Sequence, residues 1–188
     1  MTLYKNKYRI ESARCPKWDY TSNGYYFVTI CTYNKHPFFG EIINGEMVLN
    51  LISEIVAVEW QKTEEIRPNI KLDAWVIMPN HLHGIVIIDK TLVETTRRVV
   101  STHRNVSTDK TRLQSNSLGS IIGQFKSVCT KQIWAAGYTD FRWQSRFHDH
   151  IIRDEEALNQ IREYIINNPM KWEEDEHHPA NFNVRKFN

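Results

Sequence analysis

The stretch WVIMPNHLHGIVIID (residues 75–89) decides the fold that the sequence predicts. Apolar and β-branched residues run through it on both sides of the Pro79-Asn80 pair. Such runs, interrupted by two turn-forming residues, predict one strand over 71–78 and a second over 81–88. We expect the two strands to be neighbours in an antiparallel sheet, and the rest of the chain is interpreted around them.

Two histidines lie at the start of the second strand. Side chains on a strand alternate between its faces, so His81 and His83 should share one face while Leu82 enters the other. Neutral imidazole is a common metal ligand, and the pair is therefore half of a candidate metal site. The alternative is a pair of half-exposed strand histidines, because two protein ligands alone bind a metal poorly.

Further site residues are expected near the C-terminus. In the last predicted helix Tyr164 and Asn168 are four residues apart, so a phenol and an amide oxygen face one point from neighbouring turns. Packing of the tyrosine and capping by the asparagine would explain these residues without any chemistry. His148, Asp149 and His150 are weaker candidates, and we do not assign them as ligands. Asn80 either orients one histidine of the pair or simply turns the chain.

Hydrophobic periodicity assigns the other elements. The Asn44-Gly45 pair between two short apolar runs predicts a hairpin, and Asn50, Ser117 and Asp154 are predicted helix caps. The elements in chain order are a strand over 23–40, the hairpin over 38–50, a helix over 50–69, the two strands above, a helix over 117–137, a strand over 141–154 and a helix over 154–169. This order predicts an α+β fold, with a ferredoxin-like or RRM-like antiparallel sheet and helices mainly on one face.

Apolar residues at helical spacing support the three helices. They are Leu51, Ile55, Val58 and Ile66 in the first helix, Ile121, Phe125 and Val128 on one face of the second, and Leu158, Ile161 and Ile165 on one face of the third.

Composition limits the class of protein. The chain has 188 residues, 41% of them hydrophobic, and a net charge of +2, which fits one globular domain over 1–188. No apolar run has the roughly 20 residues that a membrane span requires. Three cysteines without a CxxC pair suggest reduced thiols in the cytoplasm. The polar stretch over about 90–116 predicts a long mobile loop, and the basic bias from Arg97 to Lys131 fits a solvated surface or a nucleic-acid contact.

Taken together, MPNHLHG (78–84) and the later YIINNP (164–169) resemble the HUH tyrosine transposases, and specifically the REP-associated branch of these single-strand DNA transposases. Three further stretches are similar to that branch: RCPKWDYTSNGYYFVTICT near the start, SLGSIIGQFKSVCTKQI in the middle, and HDHIIRDEEALNQIREYI near the end. The resemblance covers about residues 9–172. Other transposases of the superfamily carry Gln four residues after the tyrosine, where this chain has Asn168.

The resemblance implies a function. Tyr164 would be the catalytic nucleophile and would form a 5′-phosphotyrosine, while His81, His83 and Asn168 would bind Mg²⁺ or Mn²⁺. The substrate would be a single-stranded DNA hairpin, and the protein would act as a monomer or a homodimer. Lys126, Arg14 and Lys17 are the expected DNA contacts, with Lys126 on the helix that resembles the family.

Two other classes of function stay open. A ferredoxin-like sheet is also the frame of RNA-recognition domains that bind without catalysis, although histidines stand here where those domains carry aromatic rings. A metal-dependent phosphodiesterase that uses water instead of Tyr164 would turn over without a covalent adduct.

Overall fold

A computed structural model of the chain describes residues 3–4, 7–8, 18–91 and 116–183. The strands in chain order are β1 (Leu3–Tyr4), β2 (Lys7–Tyr8), β3 (Gly24–Cys31), β4 (Gly40–Ile43), β5 (Glu46–Leu49), β6 (Ile70–Met78), β7 (His81–Ile88) and β8 (His148–Ile152). The helices are α1 (Leu51–Glu65), α2 (Leu118–Ala135) and α3 (Glu155–Asn167), and 3-10 helices span Tyr33–Lys35, Pro169–Glu174 and Pro179–Asn183.

The central element is a four-stranded antiparallel sheet with the order β6-β7-β3-β8. Strand β7 pairs along its length with both β6 and β3, so the strand that carries the histidine pair lies inside the sheet. From β3 to β8 the chain runs strand, helix, strand, strand, helix, strand, apart from the separate β4-β5 hairpin, which is the order of a ferredoxin-like fold. The predicted α+β class with an antiparallel sheet is confirmed.

Helices cover the sheet unequally. Helices α1 and α2 pack on one face, where Val28, Leu82 and Val86 contribute to the larger buried cluster. Helix α3 packs on the opposite face, where Ile85 and the α3 residues form a second, smaller cluster. Odd-numbered residues of β7, including both histidines, therefore face α3, because side chains on a strand alternate.

The predicted caps and the hairpin agree with the structure. Asn50, Ser117 and Asp154 each accept a hydrogen bond from a backbone N–H of the first helical turn. The hairpin turns at Asn44 and Gly45, both with positive φ, as expected for a two-residue connection of this type.

The apolar residues that indicated α1 are not the ones that it buries most deeply, although Ile55 packs against the core. Leu51, Val58 and Ile66 are exposed, and the side chains that reach the core are Ile52, Val56, Trp60 and Thr63. Two apolar stripes overlap in this helix. The stripe containing Trp60 is buried because its indole packs against Gly84, where the sheet presents no side chain.

Two predicted strands are shorter than expected. The strand predicted over 23–40 ends at Cys31 and is followed by a 3-10 helix. Within 141–154 only His148–Ile152 pairs along β3, and the residues before it make one isolated bridge, between Thr32 and Trp143. The single-domain boundary and the 90–116 loop stay predictions, since residues 92–115 are outside the described part. In the part that is described, no helix has the length and apolarity to cross a bilayer, and Cys31 and Cys129 are buried free thiols.

Candidate metal centre and active site

The histidine pair occupies the site expected for it. His81 and His83 are 0% and 2% exposed, and their Nε2 atoms are 2.9 Å apart. Both rings lie on the α3 face of β7, opposite Thr29 and Cys31 of β3 in the strand register. The sheet ladder on both sides of β7 thus fixes the spacing of the two imidazoles.

Asn80 determines which nitrogen of His81 is available. The amide Nδ2 of Asn80 donates to the carbonyls of Lys35 and His177, at 3.0 and 2.7 Å, so its Oδ1 is the atom 2.8 Å from His81 Nδ1. An amide oxygen only accepts, so Nδ1 of His81 carries the proton and Nε2 presents a lone pair. Asn80 therefore orients His81, which is the first of the two roles that the sequence left open for it.

His83 is held by β3. Its Nδ1 lies 2.9 Å from Thr29 Oγ1, and its ring stacks on Phe27 with centroids 5.2 Å apart. A hydrogen bond from one imidazole nitrogen to an oxygen, with the other nitrogen facing a site, is the arrangement usual for metal-binding histidines.

Tyr164 lies beside the pair within the same chain. Its hydroxyl is 3.2 Å from His83 Nε2, and its ring meets the rings of His83 and Phe27 edge-on. The proximity expected from the sequence is therefore present, while the role of nucleophile stays a prediction. Burial and the nearby Asp175 carboxylate raise the pKa of Tyr164 to about 12, and the Asn168 amide acts in the opposite direction.

Two contacts of α3 fix the position of Tyr164 relative to the sheet. Leu158 and Ile165 of α3 insert into the second cluster. Arg162 reaches Asp73, with Nε 3.0 Å from Oδ1 and Nη2 2.5 Å from Oδ2. Asp73 lies in an irregularity of β6 between Leu72 and Trp75, and such irregularities redirect side chains.

A third imidazole, which the sequence did not predict, completes the cluster. One ring nitrogen from each of His81, His83 and His177 lies within 4.8 Å of the others, and all three residues are buried. His177 follows the last helical turns in the acidic segment 173–178, outside any periodic element and beyond the region of family resemblance. The available signal was two adjacent histidines, His177 and His178, among carboxylates.

Asn168 lies at the end of α3 and is 2% exposed. Its Nδ2 donates to Asp175 Oδ2 at 3.2 Å, and Asp175 Oδ1 accepts the backbone N–H of His177 at 2.5 Å. Asn168 thus supports the loop that carries His177. Its own Oδ1 is buried without a hydrogen-bond partner, and its role as a metal ligand stays a prediction.

Burial favours the neutral form of the imidazoles in the cluster. Burial lowers the pKa of His83 to about 3, with a further contribution from His177. Burial likewise lowers the pKa of His81 well below its ordinary value and lowers that of His177. Neutral imidazoles are the form that binds cations, since a protonated ring has no free lone pair.

The cluster fits a divalent cation. Two nitrogens at about 2.0–2.1 Å from one cation, at angles between octahedral and tetrahedral, are roughly 2.9–3.4 Å apart, and the two Nε2 atoms are 2.9 Å apart. Among the described side chains four buried polar atoms lack a partner: Trp60 Nε1, Trp143 Nε1, Asn168 Oδ1 and His177 Nδ1. The last two belong to this site, and such atoms often mark an ion.

Of the three predicted DNA contacts, the structure describes Lys126, which lies outside this cluster. The ammonium of Lys126 donates to the carbonyls of Gln144 and Arg146 at 2.7 and 3.0 Å, which gives it a structural role in the loop before β8. Its phosphate contact stays a prediction. Arg14 and Lys17 lie outside the described residues. His148 is exposed on the α3 face, in register with Thr29.

Comparison with known proteins agrees with this geometry. No protein-family model matches the chain. An uncharacterized protein of Haemophilus influenzae is 38% identical over 167 residues, which cover 88% of this chain and 91% of that protein. A REP-associated tyrosine transposase, solved bound to a REP hairpin, matches with a TM-score of 0.51 and 20% identity over 92% of this chain and 74% of its own.

A Deinococcus radiodurans structure described as that of a proposed transposase matches at a TM-score of 0.43 and 12% identity, covering 84% of this chain and 97% of its own. The chain therefore belongs to the same family as the Haemophilus influenzae protein and has the fold of the REP-associated tyrosine transposase, with an HUH-like histidine cluster.

Proposed function

We propose that the protein is a metal-dependent single-strand DNA endonuclease and strand transferase that acts on hairpin DNA through Tyr164. The observation that carries the proposal is the 3.2 Å distance between the Tyr164 hydroxyl and His83 Nε2, next to a buried cluster of three imidazoles. A tyrosine packed there only for stability would not need its hydroxyl at a candidate metal site.

The proposed roles follow from the contacts. His81 and His83 hold a divalent cation, with Asn168 Oδ1 as the oxygen ligand that the family resemblance implies. When bound, that cation would polarise the scissile phosphate and favour the phenolate form of Tyr164. Asn80 and Thr29 fix the two rings, so the ligands are oriented before substrate arrives. The tyrosine is 43% exposed, and substrate would approach from its side.

The reaction is a transesterification. The Tyr164 oxygen forms a bond to phosphorus, the bond from phosphorus to the 3′ oxygen breaks, the phenolic proton is lost and the 3′ oxygen takes up a proton. The products are a 5′-phosphotyrosine and a free 3′-hydroxyl. Because the phosphodiester energy is retained in the adduct, a 3′-hydroxyl can reverse the step and join strands without ATP.

The substrate class rests on two supports. The similar transposase was solved with a REP hairpin, and the stretch from Arg97 to Lys131 contains seven Lys or Arg and one acid. Basic residues of this kind contact phosphates without reading sequence. Mobilisation of repeated hairpins is the biological role that fits a strand transferase of this type.

The non-catalytic alternative has less support. RNA-recognition domains use an open sheet face for base stacking, whereas here α3 and the C-terminal segment cover the face that carries His81 and His83. The water-using phosphodiesterase differs from our proposal in a measurable way, because it forms no covalent adduct.

The test is incubation of the purified protein with labelled single-stranded hairpin DNA, chosen from any palindromic repeats that flank its gene, in Mg²⁺ or Mn²⁺. A denaturing gel should show a protein–DNA conjugate. Tyr164→Phe should remove both cleavage and conjugate while retaining hairpin binding, because only the attacking oxygen is lost.

Tyr138→Phe is the matched control, since that tyrosine is similarly exposed and follows α2, outside the histidine cluster. Cleavage by Tyr164→Phe at the wild-type rate would contradict the assignment. Cleavage without any conjugate would favour a water nucleophile instead, and binding without cleavage by the wild-type protein would favour the non-catalytic module.

A further inference from the structure

We infer that His177 is a direct metal ligand and that the resulting three-imidazole set selects a first-row transition metal over Mg²⁺. The inference rests on the proposed function for the identity of the site, and it goes beyond it. The family resemblance implies two histidines and one amide, and it predicts nothing from the segment after Trp172.

The segment that carries His177 is held by several contacts. Trp172 is buried against the ring of His81, with centroids 6.1 Å apart. Asp175 accepts the N–H of His177, and Asn80 donates to its carbonyl. Both main-chain groups of His177 are therefore fixed, which holds its side chain next to the histidine pair.

The ring of His177 faces the pair. Its centroid is 4.5 Å from that of His81 and 6.0 Å from that of His83. Its Nδ1 is buried and has no hydrogen-bond partner. A buried nitrogen without a partner is unusual, and a cation between the three rings would give it one.

The adjacent His178 provides a contrast. It is half-buried, its Nδ1 accepts the N–H of Ala180 at 3.2 Å, and its ring lies against Trp172. Two neighbouring histidines thus have different environments, one inside the cluster and one in the loop. A substitution of His178 is therefore the control for the same substitution of His177.

The ligand set determines the metal class. Imidazole favours Zn²⁺, Co²⁺ and similar ions, whereas Mg²⁺ prefers oxygen ligands and keeps much of its water. Three imidazoles with one amide oxygen form a nitrogen-rich site. A site with only two imidazoles and an amide would discriminate less against Mg²⁺.

Binding of Co²⁺ to the metal-free protein, followed by its visible absorption, tests the inference without DNA. The wild-type protein should bind Co²⁺ in the presence of a large excess of Mg²⁺. His177→Ala should weaken Co²⁺ binding by about tenfold or more, and His178→Ala should leave it unchanged. An unchanged Co²⁺ affinity of His177→Ala, or easy displacement by Mg²⁺ in the wild type, would overturn the inference.

A second variant covers the case in which His177→Ala does not fold. In His177→Cys a thiolate would replace the imidazole, and thiolate ligands to Co²⁺ give an intense near-ultraviolet charge-transfer band. His178→Cys and the wild type supply the background from the native cysteines. The band should appear only in His177→Cys, and its absence from folded His177→Cys would contradict direct ligation.

These outcomes are separable from those of the proposed function. Co²⁺ binding that depends on His177, in a protein that never forms a DNA conjugate, would refute the strand transferase and leave the ligand assignment intact. Conjugate formation, together with Co²⁺ binding that does not depend on His177, would refute the ligand assignment and leave the strand transferase intact.

Discussion

Asn80 donates a 2.7 Å hydrogen bond from its Nδ2 to the main-chain carbonyl of His177, 97 residues later in the chain. Its Oδ1 at the same time lies 2.8 Å from Nδ1 of His81. One buried amide therefore orients a strand histidine and holds the loop that carries the third imidazole.

We predict that Asn80→Asp separates these two roles. The carboxylate keeps an acceptor for His81 but cannot donate to the carbonyls of His177 and Lys35. Loss of an orienting partner of this kind costs about 10–100-fold in metal affinity. Co²⁺ titration of Asn80→Asp beside Asn80→Ala measures the effect, and wild-type affinity in both variants would contradict it.

The ion pair between Asp73 and Arg162 should give a defined pH dependence. Hydrogen bonds from Arg162 lower the pKa of Asp73 below its ordinary value of 3.8. A carboxyl with a lowered folded-state pKa stabilises the fold above its unfolded pKa, and this contribution is lost as the pH falls through the folded pKa.

Asp73→Asn should therefore have a lower free energy of unfolding than wild type at pH 7, and the difference should shrink below about pH 4. Urea unfolding across this range checks it, with the exposed Asp140→Asn as control. A difference that is constant with pH would show that the charge of Asp73 is not involved.

Two glycines should respond oppositely to alanine. A Cβ on Gly84 would lie 2.6 Å from Trp60 Cζ2, so Gly84→Ala should destabilise the protein by about 1–3 kcal/mol. A Cβ on Gly123, inside α2, would meet no atom within 4 Å, and Gly123→Ala should stabilise it by about 0.5–1 kcal/mol. Thermal unfolding of the two variants measures both changes, and equal signs would refute the packing argument.

Lys126 should act on stability as well as on DNA affinity. Its ammonium donates to two carbonyls, so Lys126→Met should cost about 1–2 kcal/mol. The predicted phosphate contact adds a second effect, a reduction of about one in the slope of log affinity against log salt. Lys131→Met, an exposed change on the same helix, is the control for stability. An unchanged slope would show that Lys126 is structural and contacts no phosphate.

Sequence patterns predicted the features that depend on residues close together along the chain. The alternation of strand side chains placed His81 and His83 together, and the Asn44-Gly45 pair gave the hairpin. Asn50, Ser117 and Asp154 were recognised as caps, because their side chains satisfy donors in the adjacent turn.

Features set by contacts between distant segments were missed. In α1 both apolar stripes satisfy helical spacing, and only the space at Gly84 selects the one with Trp60. His177 has no periodic context. Its position depends on the neighbouring Asp175, on the distant Asn80, and on the packing of Trp172 against His81. Helical spacing predicted which face of α3 carries Tyr164. The 3.2 Å distance from its hydroxyl to His83 depends on how α3 packs on the sheet, so the sequence could not predict it.

Because side chains alternate along β7, mutations on its two faces have different consequences. A shift of this strand by one residue would exchange Leu82 with the histidines and move two imidazoles into the apolar interior between the sheet and α1. Gly84 opposes that shift, because the indole of Trp60 fits only where the strand has no side chain. Gly84, which prevents misalignment, thus lies next to the histidines along β7 but faces the other side of the sheet. Strand pairing and metal binding therefore depend on different residues, and each can change independently in evolution.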